Sequence, residues 1–328
     1  MKEAILDLIK NNEDEYISGQ FISEKLGVSR TAIWKYINIL KEEGYEIESI
    51  SKKGYKLLSS PDVLTFEELK GLLNTEYIGK KIIHFHSIDS TNKQAKELAS
   101  LGETNGTVLI SEEQTGGKGR LGRTWISPKG KGIWLTIILT PDMEPMEVPK
   151  ITQIAAAALC SSLREIGADV YIKWPNDIIV DSRKVCGILT EMSCELNRVN
   201  YIVLGIGINA NLDDCDFNEE VKDKATSIKI QMNKKISRKI LTAKVLNNFE
   251  IFYEDFLINK DLSKSLEICK RYSVVLGREI RIINRNEEYL AKAIDIDSEG
   301  RLIIETSDGN SCPIFSGEIS IRGLNGYI

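Results

Sequence analysis

The sequence predicts an α+β protein with three parts, which are a small helical segment with a hairpin, a mixed sheet backed by helices, and a group of short strands. Three observations support this fold class. Apolar residues recur at helical spacing near the N-terminus, strand-like runs alternate with fewer helical ones in the middle, and short strands separated by turn residues end the chain. At 328 residues the chain is also too long for a single ordinary hydrophobic core, which points to two or three domains.

Composition and charge exclude several classes of protein. Hydrophobic residues make up 42% and charged residues 28%, which is typical of a globular chain. The net charge of -5 argues against a protein that coats nucleic acid over its whole surface, although a local basic face remains compatible with it. The apolar runs are far shorter than the roughly 20 residues of a membrane span, and the N-terminus lacks a secretory signal. We therefore expect a cytoplasmic protein without membrane contact.

The cysteines and histidines indicate a reducing compartment. The 6 cysteines are scattered without a Cys-x-x-Cys pair, and there are only 2 histidines. This pattern favours free thiols and argues against a metal site held by protein ligands.

The first part of the chain, residues 1–60, contains three short helical segments and a hairpin. The helices fit residues 5–9, 21–26 and 33–40. Gly27 allows a left-handed turn after the second helix, and Ser29 can cap the third. Strand-like runs at 46–50 and 54–57 enclose a turn with Lys52 and Lys53. This arrangement predicts a winged helix-turn-helix.

One face of the third helix is polar and basic near its start. The residues that we expect to contact DNA from this helix and the wing are Ser29, Arg30, Thr31, Trp34, Lys35, Asn38, Lys52 and Lys53. A small helical domain with a charged face can also bind proteins, and the acidic run from Glu42 to Glu48 has to face away from phosphates. Turn chemistry, a basic helix start and a basic wing tip together favour DNA.

The central part, residues 61–271, is predicted to form the mixed sheet. After a linker at 59–62, a helix is expected at 64–73, and further helices at 92–101 and 150–166. Strands are expected at 81–85, 108–111, 132–139, 170–173, 178–180, 184–191 and 201–208.

A glycine-rich basic loop, residues 114–125, directly follows a predicted strand. Its glycines let the main chain approach an anionic ligand, while Lys118, Arg120 and Arg123 offer charge to a phosphate or a carboxylate. The loop matches neither the P-loop nor the dinucleotide-binding motif. Taken by itself, a loop of this composition is an ordinary surface turn about half the time.

Polar residues and glycines stand at the ends of other strands as well. Residues 173–177 follow one strand, Lys184 precedes Gly187, and residues 205–209 end another. Strand ends of this kind are where α/β sheets present ligand contacts, and Lys184 could neutralise charge on a carboxylate that attacks a phosphate. Each signal also has a simpler explanation when it is taken alone. Lys184 lies in a segment with the composition of a turn, where it would be a solvated lysine, and Trp174 is more often a core residue than a ligand contact.

Taken together, the motifs resemble the biotin protein ligases in order and spacing. The resemblance is carried by residues 89–92, 117–123, 173–177, Lys184 before Gly187, 205–209 and 317–322. With the winged helix included, it extends over nearly the whole chain to the bifunctional members of the family, which are also repressors. It implies that the central part is a class II synthetase-like ligase domain.

The last part, residues 272–328, reads as short strands at 279–282, 289–296, 302–306, 312–315 and 318–321. Turns are expected at 284–286, 298–300 and 307–309. Several short strands at this spacing predict a small barrel, and the part resembles the SH3-like β-barrel of the family.

The resemblance also implies functional residues. The implied biotin-binding residues are Ser90, Thr91, Asn92, Gln114, Lys118, Gly119, Arg120 and Lys184. The implied nucleotide-binding residues are Arg123, Trp125, Lys173, Asn176, Asp177, Asn209 and Arg322. Lys184 and Arg120 would be catalytic through charge stabilisation. The family loop usually reads Gly-Arg-Gly-Arg-Arg-Gly, and here Lys118 and Leu121 replace two arginines, which keeps one charge but loses the planar guanidinium fork.

The implied reaction is that of an ATP-dependent, AMP-forming biotin–acetyl-CoA-carboxylase ligase. Biotin would attack the α-phosphate of ATP, with Mg²⁺ on the phosphates, and a lysine of a biotin carboxyl carrier domain of acetyl-CoA carboxylase or another biotin enzyme would accept the acyl group. Catalysis would be mainly electrostatic and positional.

The resemblance further implies repression of biotin biosynthesis or uptake genes at operator DNA, by a homodimer that forms when adenylate is bound. Two alternatives stay open, namely a ligand-sensing repressor without catalysis and a ligase for another acid such as lipoate.

Overall fold

The computed structural model describes residues 1–12, 15–284, 287–315, 319–324 and 327. The chain divides into two compact units, Met1–Val63 and Leu64–Ile328, which we call the N-terminal unit and the large unit. The three-part division at 60/61 and 271/272 stays a prediction.

The N-terminal unit consists of three helices and a hairpin, as predicted. The helices are α1 (Lys2–Lys10), α2 (Gly19–Leu26) and α3 (Arg30–Glu42), and the antiparallel strands are β1 (Glu46–Ile50) and β2 (Gly54–Ser59). Gly27 ends α2 with a φ of 67°, and the hydroxyl of Ser29 accepts a hydrogen bond from the backbone N–H of Ala32 at 3.2 Å. Leucine and isoleucine side chains from all three helices form the core of this unit.

The large unit contains a seven-stranded mixed sheet. Its strands are β3 (Ile82–Phe85), β4 (Val108–Ser111), β5 (Ile133–Leu139), β6 (Tyr171–Lys173), β7 (Asp177–Val180), β8 (Arg183–Glu195) and β9 (Arg198–Ile208). They lie in the order β3-β4-β5-β9-β8-β7-β6, and only β3 and β4 run parallel. The predicted strands and the predicted mixed sheet are thereby confirmed, with β8 and β9 longer than expected because they form one extended hairpin.

Helices cover both faces of this sheet. They are α4 (Phe66–Leu69), α5 (Thr91–Ser100), α6 (Val148–Glu165), α7 (Ile228–Met232), α8 (Arg238–Asn259) and α9 (Ser263–Arg271). Helix α5 packs on the face that carries Leu109, Ile138 and Val203, whereas α6 and α8 belong to the large core on the other face. In β5 every residue from Ile133 to Leu139 is buried, because both faces of the strand are covered.

Two helical predictions need correction. The helix expected at 64–73 is wrong in length, because α4 spans only Phe66–Leu69 and a single 3₁₀ turn, Lys70–Leu72, follows it. The sequence analysis also missed α7, α8 and α9. In α8, Ile240, Ile251 and Ile258 are exposed while Arg238 and Glu250 are buried, so polar and apolar residues do not separate into the two faces that mark a helix.

A second, antiparallel sheet follows within the large unit. It comprises β10 (Glu279–Asn284), β11 (Glu287–Ile296), β12 (Leu302–Thr306), β13 (Ser311–Ile314) and β14 (Ser320–Arg322), in the order β13-β12-β11-β10-β14. Among the described residues the sheet is open, so the closed SH3-like barrel stays a prediction. The expected turn at 285–286 and the motif residues Gly317 and Glu318 lie outside the described residues.

Two further observations concern the whole described chain. None of its described helices combines the length and the apolar character that crossing a membrane requires. All 6 cysteines are described, and all are free thiols.

Candidate functional site

A cavity of about 580 Å³ opens in the large unit at the edge of the mixed sheet. It is bordered by the start of α5, the glycine-rich loop, the turn between β6 and β7, and the ends of β8 and β9. Every residue predicted to bind biotin or nucleotide lines it, namely Ser90, Thr91, Asn92, Gln114, Lys118, Gly119, Arg120, Arg123, Trp125, Lys173, Asn176, Asp177, Lys184, Asn209 and Arg322. Motifs that are far apart in sequence thus meet in one place.

Three glycines of the β8–β9 hairpin form the floor of the cavity. A Cβ atom at Gly205 would lie 2.1 Å from Asn92 Oδ1, and one at Gly207 would lie 2.5 Å from Trp125 Nε1. At Gly187, which pairs with Gly207 across the hairpin, a Cβ would lie 2.8 Å from the ammonium of Lys184. Because glycine has no side chain, Asn92, Trp125 and Lys184 can occupy the space above these three positions.

The glycine-rich loop folds back on itself as a small hairpin. The backbone N–H of Gly119 donates to the carbonyl of Arg123 at 2.7 Å, and that of Trp125 donates to the carbonyl of Gly117 at 2.9 Å. Between these bonds Leu121 adopts a φ of 58° and is 60% exposed. The leucine that replaces a family arginine thus lies at the exposed tip of the loop.

The arginines of this loop reach other parts of the cavity wall. Arg120 donates to Asn176 Oδ1 at 2.9 Å and to the carbonyl of Ile319 at 3.1 Å, and burial lowers the pKa of its guanidinium. Arg123 approaches the hydroxyl of Ser320 at 3.5 Å. Arg120 therefore joins the loop to the turn after β6 and to the second sheet.

Lys184 and Asp177 form an ion pair inside the cavity. Lys184 Nζ lies 2.5 Å from Asp177 Oδ1 and 4.9 Å from the centre of a Trp125 ring. Burial alone would raise the pKa of Asp177, but the charge of Lys184 and hydrogen bonds from Lys184 and Tyr327 lower it. The carboxylate is therefore ionised and holds the ammonium group in place.

Lys173 lies on the other side of Asp177. Its ammonium donates to the carbonyl of Tyr327 at 2.8 Å and lies 3.4 Å from the centre of the Tyr327 ring. Burial lowers the pKa of Lys173 to about 7, although the charge of Asp177 opposes this shift. Burial thus makes Lys173 easier to deprotonate than an ordinary solvent-exposed lysine.

The start of α5 is tied to the glycine-rich loop at the opposite end of the cavity. Ser90 caps the helix by accepting from the backbone N–H of Lys93 at 3.4 Å. The backbone N–H of Thr91 donates to Gln114 Oε1 at 2.8 Å. Gln114 in turn donates to the hydroxyl of Ser127 at 3.1 Å, so that both sides of this end share one hydrogen-bonded network.

Two predicted residues have mainly structural contacts. Asn209 is buried and donates to the carbonyl of Thr226 at 3.1 Å. Trp174, for which the core interpretation was preferred, is 1% exposed and donates to the carbonyl of Gly300 at 2.9 Å. Both residues therefore also hold neighbouring segments against the cavity.

Sequence reasoning missed other parts of the wall. The segment from Phe217 to Ala225 lines the cavity and is joined to β8 by hydrogen bonds between the backbones of Lys184, Lys224 and Thr226. Tyr327 also lines it. No local motif marks these residues, and only the fold reveals them.

The described lining of the cavity is strongly cationic. Its basic residues are Lys118, Arg120, Arg123, Lys173, Lys184, Lys224 and Arg322, whereas its carboxylates are Asp177 and Glu220. A recess with this excess of positive charge is suited to a ligand with carboxylate or phosphate groups.

Five of the eight predicted DNA-contacting residues line one groove of the N-terminal unit. A groove of about 630 Å³ lies between α3 and the hairpin and is lined by Arg30, Thr31, Trp34, Lys52 and Lys53, among others. Trp34 is 60% exposed. Ser29 and Lys35 are exposed nearby, and Asn38 is half-buried. An exposed aromatic residue among basic and hydroxyl groups at a helix start is compatible with a nucleic-acid contact.

The wing has an additional backbone connection. Ile17 and Tyr55 exchange two backbone hydrogen bonds of 2.9 Å, which form an isolated antiparallel β-bridge beside the hairpin. A Cβ at Gly54 would lie 2.0 Å from the carbonyl oxygen of Ile17, so only glycine fits this position. This pairing fixes the base of the wing that carries Lys52 and Lys53.

Fold and site together define a protein ligase of the biotin and lipoate type with an N-terminal DNA-binding module. The model of the "Biotin/lipoate A/B protein ligase family" matches residues 84–209, that of an "HTH domain" matches residues 2–56, and that of the "Biotin protein ligase C terminal domain" matches residues 275–322.

Curated relatives match along nearly the whole chain. The chain is 38% identical over 322 residues to the bifunctional ligase/repressor BirA of Bacillus subtilis, covering 98% of each. It is 30% identical over 320 residues to that of Escherichia coli, covering 97% of this chain and 96% of the relative. The chain therefore belongs to the family of bifunctional ligase/repressor proteins.

A solved structure with the same fold is the biotin protein ligase of Aquifex aeolicus in complex with biotin and ATP. The TM-score is 0.65 at 29% identity, and the match covers 74% of this chain and 99% of the other. The apo structure of that ligase gives a TM-score of 0.62 at 25% identity, with the same coverage.

Proposed function

We propose that this protein activates biotin with ATP to form biotinyl-5'-adenylate, transfers biotin to a carrier protein, and represses transcription in response to biotin. The observation that carries the ligase proposal is the single cationic cavity in which every implied ligand-binding residue meets. The similarity to a ligase solved with biotin and ATP supports the choice of ligands. Family membership supports the combination with repression.

In the first half-reaction, a carboxylate oxygen of biotin attacks the α-phosphorus of ATP. A carboxyl–phosphate bond forms, and the bond to the departing pyrophosphate breaks. Both reactants are anions, so the main barrier is their mutual repulsion, which the ammonium of Lys184 and the guanidinium of Arg120 reduce. No base is needed, because a carboxylate is already a nucleophile.

The cavity is proposed to divide between the two ligands. Biotin lies against the start of α5 and the glycine-rich loop, with its ring near Ser90, Thr91, Asn92 and Gln114. The nucleotide lies towards the second sheet. The proposed nucleotide-contacting residues are Arg123, Trp125, Lys173, Asn176, Asp177, Asn209 and Arg322. The residues proposed to face the reacting carboxylate are Lys118, Gly119, Arg120 and Lys184.

Mg²⁺ is proposed to enter with ATP. The described residues contain no group of three or more histidine, cysteine, aspartate or glutamate side chains arranged to hold a metal ion. The Asp177 carboxylate is already paired with Lys184. Because Mg²⁺ prefers phosphate and water oxygens, the triphosphate itself supplies suitable ligands.

In the second half-reaction, the amine of an acceptor lysine attacks the acyl carbon of the adenylate, an amide forms, and AMP leaves. The proposed acceptor is the biotin carboxyl carrier domain of acetyl-CoA carboxylase or of another biotin enzyme. We place this activity in the cytoplasm. The proposed domains are 1–60, 61–271 and 272–328, the last as an SH3-like barrel.

Repression is assigned to the N-terminal unit. We propose that the start of α3 enters the major groove of operator DNA while Lys52 and Lys53 contact phosphates. A homodimer that forms when the adenylate is bound would match a two-fold operator.

The decisive experiment for the enzyme is biotin-dependent exchange of pyrophosphate into ATP, with lipoate as the competing acid. We expect exchange with biotin alone. Exchange with lipoate alone would identify a ligase for another acid, and absence of exchange with either would favour the non-catalytic repressor.

A gel-shift titration tests repression. We expect tighter binding to operator DNA when biotin and ATP are both present. Equal affinity with and without them would refute the proposed response to biotin.

A further inference from the structure

Thr136 lies beneath the start of α5, and the sequence analysis did not select it. It belongs to β5 and is fully buried. Its hydroxyl oxygen lies 2.6 Å from Asn92 Oδ1 and 2.8 Å from the hydroxyl oxygen of Thr91. A threonine hydroxyl carries one proton, so Thr136 can donate to only one of these two cavity residues at a time.

Glu191 decides which of the two receives the proton. The amide nitrogen of Asn92 donates to Glu191 Oε2 at 2.9 Å and, at the longer distance of 3.4 Å, to the carbonyl of Leu189. Glu191 Oε1 pairs with the ammonium of Lys96 at 2.5 Å. An ionised carboxylate only accepts hydrogen bonds, so Glu191 keeps the NH₂ group of Asn92 on its own side. The carbonyl oxygen of Asn92 then faces Thr136 and accepts its proton.

This direction has a consequence for Thr91. The hydroxyl of Thr91 donates to Gln114 Oε1 at 3.1 Å. Because the Thr91 hydroxyl donates its proton to Gln114 and its oxygen carries two lone pairs, Thr91 can accept a hydrogen bond from the cavity side, provided that its contact with Thr136 holds it in this position. The wall at this end therefore offers an acceptor to a ligand that carries an N–H group.

We propose that Thr136 and Glu191 are positioning residues, which hold Thr91 in place, fix the orientation of the Asn92 amide and thereby select an acid whose ring carries N–H donors. The inference rests on the proposed function and deepens it. The cyclic urea of biotin carries such donors, whereas the dithiolane ring of lipoate carries none. A buried polar network of this kind penalises the analogue that leaves it unpaired.

The test compares two buried threonines. Thr136→Val removes the hydroxyl at nearly constant volume, and Thr136→Ser retains it. The matched control is Thr242→Val, because Thr242 is also fully buried but its hydroxyl has no hydrogen-bond partner within the described part of the chain. Binding of biotin is measured by calorimetry without ATP, the KM for ATP is measured in the exchange assay, and the Tm is recorded for each variant.

We expect Thr136→Val to weaken biotin binding roughly tenfold, as expected for loss of one hydrogen bond in a buried network. The KM for ATP should not change, Thr136→Ser should restore biotin binding, and Thr242→Val should bind like the wild type. A purely structural role of Thr136 would affect both ligands together with the Tm.

Glu191→Gln provides the second variant, since an amide side chain can donate as well as accept and leaves the orientation of Asn92 to the longer contact with the carbonyl of Leu189. We expect a severalfold weaker affinity for biotin, with the KM for ATP unchanged. If Thr136→Val fails to fold, the biotin affinity of Glu191→Gln tests the inference in its place.

Unchanged biotin affinity in the folded variants, or equal losses for biotin and ATP, would overturn the inference. Because binding is measured without turnover, a wild-type protein that binds biotin but shows no exchange would contradict the proposed enzyme and leave this test intact. A wild-type protein that does not bind biotin would overturn both.

Discussion

Replacing Lys184 with alanine removes the ammonium group that lies 2.5 Å from the Asp177 carboxylate and packs beside Trp125. A unit positive charge about 4 Å from a developing negative charge contributes about 4 kcal/mol at an effective dielectric constant of about 20. Asp177 already compensates part of this charge, so we expect a net loss of about 3 kcal/mol of transition-state stabilisation. This corresponds to a decrease of about 10²-fold in kcat for the exchange of pyrophosphate into ATP.

Lys239→Ala is the matched control for this substitution. Lys239 pairs with Glu68 at 2.7 Å, and its side chain is 18% exposed, compared with 22% for Lys184. Both variants therefore remove a lysine from a partly buried ion pair, but Lys239 does not line the cavity. We expect Lys239→Ala to lower the Tm and to leave kcat within about twofold of the wild type. Nearly full exchange by Lys184→Ala, or equal losses in both variants, would refute the assignment.

Three further predictions concern protonation, stability and DNA. Burial lowers the pKa of Lys173 to about 7, and a nearby phosphate would raise it again, so ATP binding at about pH 8 should take up protons. Calorimetry in buffers of different ionisation enthalpy should detect this uptake, and Lys173→Met should abolish it.

Burial would raise the pKa of Glu112, but its hydrogen bond with His84 and the charge of Arg238 lower it to about 2 from 4.5. The ionised Glu112 side chain therefore stabilises the fold fully above pH 4.5, and this stabilisation is lost as the pH falls towards 2. Acid unfolding of Glu112→Gln should depend less on pH in this range. At neutral pH this variant should lose about 3 kcal/mol of unfolding free energy in denaturant titrations. Finally, Lys52→Ala should weaken binding to all DNA sequences and reduce the salt dependence of log K by about one, measured by fluorescence anisotropy.

The strand ends were the most predictable part of the site. Glycines and charged residues follow buried strands at Lys173, Lys184 and Gly205, and the topology of the sheet brings these ends to one edge. Their meeting in one cavity follows from chain order and strand pairing. Their roles towards biotin and nucleotide stay predictions.

Other features have no local signature. Thr136 lies within a strand that is buried on both faces, so a hydroxyl there looks like any other small core residue until its partners on α5 and β8 are known. Helix α8 exposes three isoleucines and buries Arg238 and Glu250, which removes the contrast between its faces that periodicity needs. The segment from Phe217 to Ala225 reaches the cavity only through pairing with β8. In all three cases the feature depends on contacts between residues that are far apart in the sequence, which no local pattern shows.

Because a Cβ at Gly187, Gly205 or Gly207 would collide with Lys184, Asn92 or Trp125, single substitutions at these glycines would displace side chains that line the recess and would not enlarge it. Wider acceptance of bulky acids must therefore arise at the rim, for example at Leu121 on the outer tip of its loop. The hairpin sets a fixed depth, and variants selected for new acids should accumulate their changes around the entrance.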